Sequence, residues 1–333
     1  MKSLLAKIRN NLRKISNEWK QDISQYSLSL AFTRFMGTMF RIFRFNSVST
    51  LFLNKKNDIV LSYLEKEYGY VFLKFKDEKK IESSKIKKTE ELPIWVCWLD
   101  GIENAPPLVR QCIKSIYNHA NNHPINFITW ENISDYVDMP AFLKEKVLKK
   151  QMGFAHYSDI LRIFLLEKYG GIWLDATIFC SQDLPEEYFS YDLFSCKSDC
   201  ATPGCVSNNQ WTTFCLGGHK GNILFKALKA FYLVYWEKEI CAIDYLFFDD
   251  AIELARRLLP TVRKEINEIP QTNYRRDELI QRFADKWTEE AVNDLLKSDT
   301  VMFKLGYREK RFLQTVDADG HPTVYAAFLQ GLF

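Results

Sequence analysis

No apolar run in this 333-residue chain reaches the ~18–20 residues that a bilayer-spanning helix requires. The nearest approach, Leu28–Phe45, is interrupted by Arg34, Arg41 and Arg44. A secretion signal is lacking as well, because Met1–Lys20 alternates apolar and basic residues without a continuous apolar stretch. There is no low-complexity tract and no internal repeat. The lysine-bearing phosphate loop, G-x-G-x-x-G and G-x-S-x-G are all missing, which removes support for kinase, dehydrogenase and α/β-hydrolase chemistry. The eight cysteines do not resemble a secreted disulfide framework. Cys196, Cys200, Cys205 and Cys215 also lack the paired-knuckle spacing of common zinc sites, so free or buried thiols are expected there.

What is present is a globular composition, 47% hydrophobic and 26% charged, with a segregated charge. Residues 1–90 carry 19 Lys+Arg against 9 Asp+Glu, although the whole chain has a net charge of only +3. The remainder is therefore acidic. Such segregation suggests an anionic partner for the N-terminal part, a membrane surface or a lipid-linked substrate. Residues 1–75 read as mostly helical, with Leu28–Phe45 an interfacial helix pair or a basic helix packed on the rest. Asp77–Glu91 is charge-dense and glycine-free, a surface linker or helix end. The expected division is a basic helical extension over 1–90 and an α/β domain over 91–333.

Within 91–333, Ile94–Leu99 reads as the first strand and Ile125–Trp130 as the second, with a helix opening at Pro106-Pro107 between them. The most informative stretch is Ser158–Thr177. Asp159 and Arg162 lie three residues apart and share a helix face. The surrounding apolar residues, Ile160 to Leu166, predict a helix buried over most of its circumference, in which an ion pair needs partners. Tyr169-Gly170-Gly171 ends the helix, and Ile172-Trp173-Leu174 forms a central strand with Asp175 at its tip. A structural ion pair pinning the helix is the plain alternative. Strand, helix, strand, helix, strand predicts an open α/β fold, whose ligands bind at the carboxyl edge of the sheet.

The run Ser158-Asp159-Ile160-Leu161-Arg162, followed by Tyr169-Gly170-Gly171-Ile172-Trp173-Leu174-Asp175-Ala176-Thr177, resembles the capsular polysaccharide synthesis protein family. It is also similar to yeast-type mannosyltransferases and bacterial glucosylating toxins, glycosyltransferases with a GT-A (Rossmann-like) fold and an Asp-x-Asp motif. The resemblance implies a nucleotide-sugar donor, with Asp159 on sugar hydroxyls, Arg162 on the sugar or diphosphate, and Asp175 on the metal-diphosphate or ribose. Thr177 stands where the second acid of the motif is usual, so a divalent cation, Mn²⁺ or Mg²⁺, would have a weaker ligand there. Val96–Gly101 is similar to the toxins' uracil-stacking segment, which makes Trp98 the candidate base platform. Trp211–His219, Asp244–Asp250 and Phe303–Tyr307 also resemble family segments. They imply that Gly217-Gly218 lets backbone approach a ligand, that Asp244 orients the acceptor or serves as general base, and that Lys304 meets the diphosphate. His321 is a further candidate metal ligand.

The resulting expectation is a hexosyltransferase of bacterial surface polysaccharide synthesis, taking its sugar from a UDP-sugar donor with retention of configuration and passing it to a glycan or lipid-linked acceptor. It would be cytoplasmic with peripheral membrane contact through residues 1–75, and without a nucleic-acid partner. A non-catalytic scaffold that binds nucleic acid or other assembly components is the alternative.

Overall fold

The computed structural model describes residues 15–78, 92–198 and 202–333. Cys200 and most of the Asp77–Glu91 segment lie outside the described residues, as do residues 1–14. The chain opens with a helix over residues 15–25 (α1) and a helical hairpin of α2 (Leu28–Ile42) and α3 (Asn46–Leu73). Then follow β1 (Ile94–Cys97), α4 (Pro107–Asn118), β2 (Ile125–Ile128), α5 (Ile133–Tyr136), α6 (Ala141–Leu148), α7 (Phe154–Tyr169), β3 (Gly171–Asp175) and β4 (Ile178–Cys180). Next come β5 (Leu193–Ser195), β6 (Cys215–Gly218), α8 (Ile223–Lys238), α9 (Phe247–Leu258) and α10 (Pro260–Glu268). The last elements are α11 (Leu279–Arg282), α12 (Glu290–Leu296), β7 (Met302–Lys304) and α13 (Val324–Gln330).

The local chemistry explains the main boundaries. The Ser27 hydroxyl caps α2 by accepting from the Leu30 amide at 3.1 Å, and Asn222 caps α8 through the Leu224 amide at 2.8 Å. Pro107 opens α4, where its missing N–H costs nothing. Gly170, at φ +72°, closes α7. Gly171 follows at φ +92°, and a Cβ there would lie 2.0 Å from the Pro93 carbonyl oxygen. Only glycine lets β3 start so close to the segment leading into β1.

The main sheet has the order β2-β1-β3-β6-β5, and the smaller one pairs β4 with β7. β2, β1 and β3 are parallel; β6 and β5 complete the sheet in antiparallel sense. This is the expected α/β architecture, with helices on both sheet faces. Side-chain alternation divides the interior. Trp95 and Trp173 face one cluster, shared with α3, α7, α8 and α9, while Ile94, Val96, Ile172 and Leu174 face the other, shared with α4 and α13. α3 contributes Val60, Leu64, Tyr68 and Phe72 to the first of these clusters, beside Phe231 and Tyr235 of α8. No helix among the described residues is long and apolar enough to cross a membrane.

The chain leaves β1 toward β2 on one side and returns to β3 on the other, so the direction of winding reverses between β1 and β3. In open α/β sheets that reversal opens a crevice at the carboxyl ends of the strands. Cys97 and Asp175 are register partners at this edge.

Candidate donor site at the sheet edge

Asp175 ends β3 with both carboxylate oxygens engaged. Oδ1 accepts from Trp173 Nε1 at 3.0 Å and from an Arg162 Nη at 3.2 Å; Oδ2 accepts from Lys304 Nζ at 2.7 Å. Burial pushes this carboxyl up, but Lys304 and Arg162 outweigh it and hold the pKa down at about 2. Asp175 is therefore ionised throughout the physiological range.

Arg162 comes from the buried side of α7. It donates to the Thr213 carbonyl, approaches Asp159 at 3.4 Å, and lies over the rings of Trp173 and Phe248 at 4.8 and 5.0 Å. Its Nε has no hydrogen-bond partner among the described residues. Asp159 sits one helix turn earlier, beside His156 at 3.8 Å. Burial pushes its carboxyl up to about 7, against the pull of Arg162 and helped by the negative charges of Asp175 and Asp249. The two acids thus behave oppositely: Asp175 is a fixed anion, whereas Asp159 exchanges a proton near neutrality.

Lys304 arrives through the small sheet, where it pairs with Ile178. Its ammonium bridges Asp175 Oδ2 and Thr177 Oγ1, at 2.7 and 2.9 Å, and lies 5.0 Å from the Phe214 ring centre. An ammonium has three donors, so one remains for a ligand. The two oxygens expected to face a divalent cation both accept from this lysine. Thr177 is neutral, and Asp175 is already shared between two cationic side chains. A hard dication prefers several anionic or carbonyl oxygens, so this donor set fits an ammonium better than Mg²⁺ or Mn²⁺.

Trp98 follows β1 directly at the same edge. It is half-buried, with its ring edge-on to Tyr307 at 5.6 Å. Trp95 is enclosed on the other face and donates to the Gly170 carbonyl at 2.9 Å.

Residues 41–317 match the family model described as capsular polysaccharide synthesis protein. The chain belongs to this family. O-glycosyltransferase braB of Annulohypoxylon truncatum is 29% identical over 100 residues, which cover 27% of this chain and 24% of that protein. The chain thus matches about a quarter of the length of that curated relative. The structure of PaToxG Glycosyltransferase aligns over 78% of this chain and 94% of that one, at 14% identity and a TM-score of 0.34.

In this member of the capsular polysaccharide synthesis family, Asp159, Arg162, Asp175, Thr177 and Lys304 come together, with Trp98 at the same sheet edge. Two other residues take places different from those expected. Asp244 precedes α9, and it is buried in an ion pair with Lys56 of α3. Burial would raise its pKa, but Lys56 and Arg34 hold it below the usual value. Its two oxygens accept from Lys56 and from the Tyr245 amide at 2.6 Å, and a carboxylate held at a lowered pKa is a poor general base. His321 pairs with Asp317 at 3.4 Å in an exposed turn, rather than with Asp175 and Thr177. Asp317 Oδ1 already accepts the Asp319 and His321 amides, each at 2.9 Å, so the turn is held by its own backbone. The Gly217-Gly218 pair also has a packing role: it belongs to β6, where a Cβ on Gly217 would strike Ile172 and one on Gly218 the Asp192 carbonyl.

Sequence reasoning missed several contributors. Trp173 and Phe248 each set a ring against the Arg162 guanidinium, and the Thr213 carbonyl anchors it. Asp249, held by Trp211 Nε1 at 2.9 Å and raised by burial to about 6, adds negative potential at Asp159. The Trp173-x-Asp175 spacing was a usable signal, since alternate residues of a strand tip can bond to each other; the others are joined only by the tertiary fold.

Proposed function

We propose that this protein is a glycosyltransferase that takes a monosaccharide from a nucleoside-diphosphate sugar, UDP-linked, and passes it to a glycan or lipid-linked acceptor in surface polysaccharide synthesis, with retention of configuration. The observation that carries this reading is the Asp175 carboxylate at the sheet's reversal point, held between Arg162 and Lys304, with Asp159 beside the guanidinium. Family membership and the O-glycosyltransferase named among its relatives support the same chemistry.

Transfer breaks the bond between the anomeric carbon and a phosphate oxygen and forms one to the acceptor hydroxyl oxygen, whose proton passes to the departing diphosphate. Negative charge then gathers on the departing diphosphate. Lys304 has a donor to spare and meets that charge; Arg162 adds positive potential from behind Asp175. Asp159 receives hydroxyls of the sugar, and its carboxyl near neutrality both donates and accepts hydrogen bonds. Trp98 offers a ring face to the base. Each step uses side chains of this chain, with Lys304 supplying the charge that a divalent cation provides elsewhere.

A thermal-shift screen against nucleotide sugars, with Mn²⁺ and with chelator, tests both parts. A UDP-sugar that stabilises the protein in chelator, and fails to stabilise Lys304→Ala, is the expected result. Stabilisation by none of the donors would overturn the glycosyltransferase reading. Stabilisation only with Mn²⁺ would leave that reading standing and assign Asp175 and Thr177 to the metal.

A further inference from the structure

The α2–α3 hairpin has a root and a tip of opposite character. At the root, Arg34 bonds to Asp22 and to the Ile243 carbonyl, and Lys56 pairs with Asp244. Leu30, Ala31, Thr33 and Gly37 are buried, and Ser49 Oγ donates to the Gly37 carbonyl at 2.9 Å, closing the two helices on each other. Beyond Arg34 on α2, and before Lys56 on α3, the helices run on for about 8 and 10 residues. At 1.5 Å per residue the turn lies roughly 12–15 Å past these anchors.

That tip is apolar and exposed. Phe43 and Phe45 are 62% and 60% accessible, and Ile42, Val48 and Leu51 are exposed beside them. Arg44 sits in the turn at φ +63°, and both Arg41 and Arg44 are exposed. No acidic residue occurs between Asp22 and Asp58 in the sequence. Large apolar side chains cost solubility when they stay in water, and a contiguous set marks a surface that is covered in use.

We propose that this tip docks on an anionic lipid bilayer, with Phe43, Phe45, Ile42 and Leu51 entering the headgroup–acyl boundary and Arg41 and Arg44 meeting lipid phosphates. Charge decides the occupant. Aromatic residues alternating with cations match an interface whose surface is negative and whose interior is apolar. A second copy of the same tip would bring like charges together. Docking is independent of the donor chemistry: it sets where the protein works, on a surface where lipid-linked saccharides reside, and would hold for a different reaction at the sheet edge.

Full-length protein sedimented with phosphatidylcholine vesicles, with and without 30% phosphatidylglycerol, provides the test. Binding to the anionic vesicles alone is expected, falling at least tenfold when salt is raised to about 0.5 M. A Phe43→Ser, Phe45→Ser double variant and an Arg41→Glu, Arg44→Glu double variant should each lose at least tenfold in partition, while their thermal unfolding stays that of wild type. Equal sedimentation of wild type and both variants would overturn the proposal. So would failure to bind either vesicle, or a wild-type dimer in light scattering that the Phe43→Ser, Phe45→Ser variant loses without any vesicle binding.

Discussion

Lys304 meets Asp175 at the carboxyl edge of the sheet, and Lys56 meets Asp244 where the α2–α3 hairpin joins α9. The residue types are the same, but the side chains of the first pair are 26% and 31% exposed and those of the second 7% and 9%. Burial separates their uses. The enclosed pair has no route to a ligand, and it lies beside Asp250, a fully buried carboxyl whose oxygens have no hydrogen-bond partner among the described residues and whose pKa is driven well up by desolvation. The edge pair keeps an ammonium donor within reach of solvent. An ion pair of this kind therefore reads as structure or as site according to what its remaining donors can touch.

The strongest way to break this comparison is Lys56→Ala. It strands the Asp244 charge in the interior and is expected to cost about 3–5 kcal/mol of unfolding free energy. Denaturant titration measures this, and the folded fraction should still bind UDP. Replacing both partners together, Lys56→Met with Asp244→Leu, should recover most of the loss, since an apolar pair leaves no uncompensated charge. A comparable loss of UDP affinity in the folded Lys56→Ala protein would erase the distinction between the two pairs.

Asp175→Asn should leave a folded protein but lower transfer from the true donor by on the order of 10²–10³-fold. Its effect on stability has a defined sign. The native pKa of Asp175 lies below the unfolded value, so its contribution is full above about pH 4 and is lost as pH falls toward 2. The melting difference between wild type and variant should shrink over that acid interval. Trp98→Ala sharpens the edge of the site: a stacked base is worth about 1–3 kcal/mol, so UDP affinity by calorimetry should weaken accordingly. Unchanged affinity would return Trp98 to a packing role against Tyr307.

The smallest expected effect is that of Asp159→Asn on the pH dependence of stability. Asp159 has a native pKa above its unfolded value, so the folded state takes up a proton. Its cost to folding is absent below about pH 4 and grows as pH rises through 7. The asparagine variant escapes this cost, so its stability should gain on that of wild type between pH 4 and pH 8 in melting curves. A flat difference between the two pH values would mean that the carboxyl does not titrate in this range.

Asp159, Arg162 and Asp175 were legible because one helix, one tight turn and one strand carry them within 17 residues. Periodicity and the Gly-Gly stop suffice to place such a unit. Lys304 has no comparable local signal: it meets Asp175 only because β7 pairs with β4, and only resemblance pointed to it. Asp244 was misplaced for the complementary reason. Its partner, Lys56, is 188 residues away, and no spacing within Asp244–Asp250 announces it. β6 was missed because Gly217 and Gly218 favour no strand, whereas their lack of side chains is what lets the sheet continue past Ile172 and Asp192. The hairpin was anticipated as helical and basic, but which of its faces stays open depends on the root contacts with residues 241–244.

Gly171 stands at the far end of β3 from Asp175, pressed against the Pro93 carbonyl. A methyl group there would prise the two central strands apart at their base and, through a five-residue lever, misalign the carboxylate at the other end. Laboratory evolution toward new donors should accordingly find its freedom in the loops downstream of residue 175, while the seam at 93 and 171 tolerates almost no traffic.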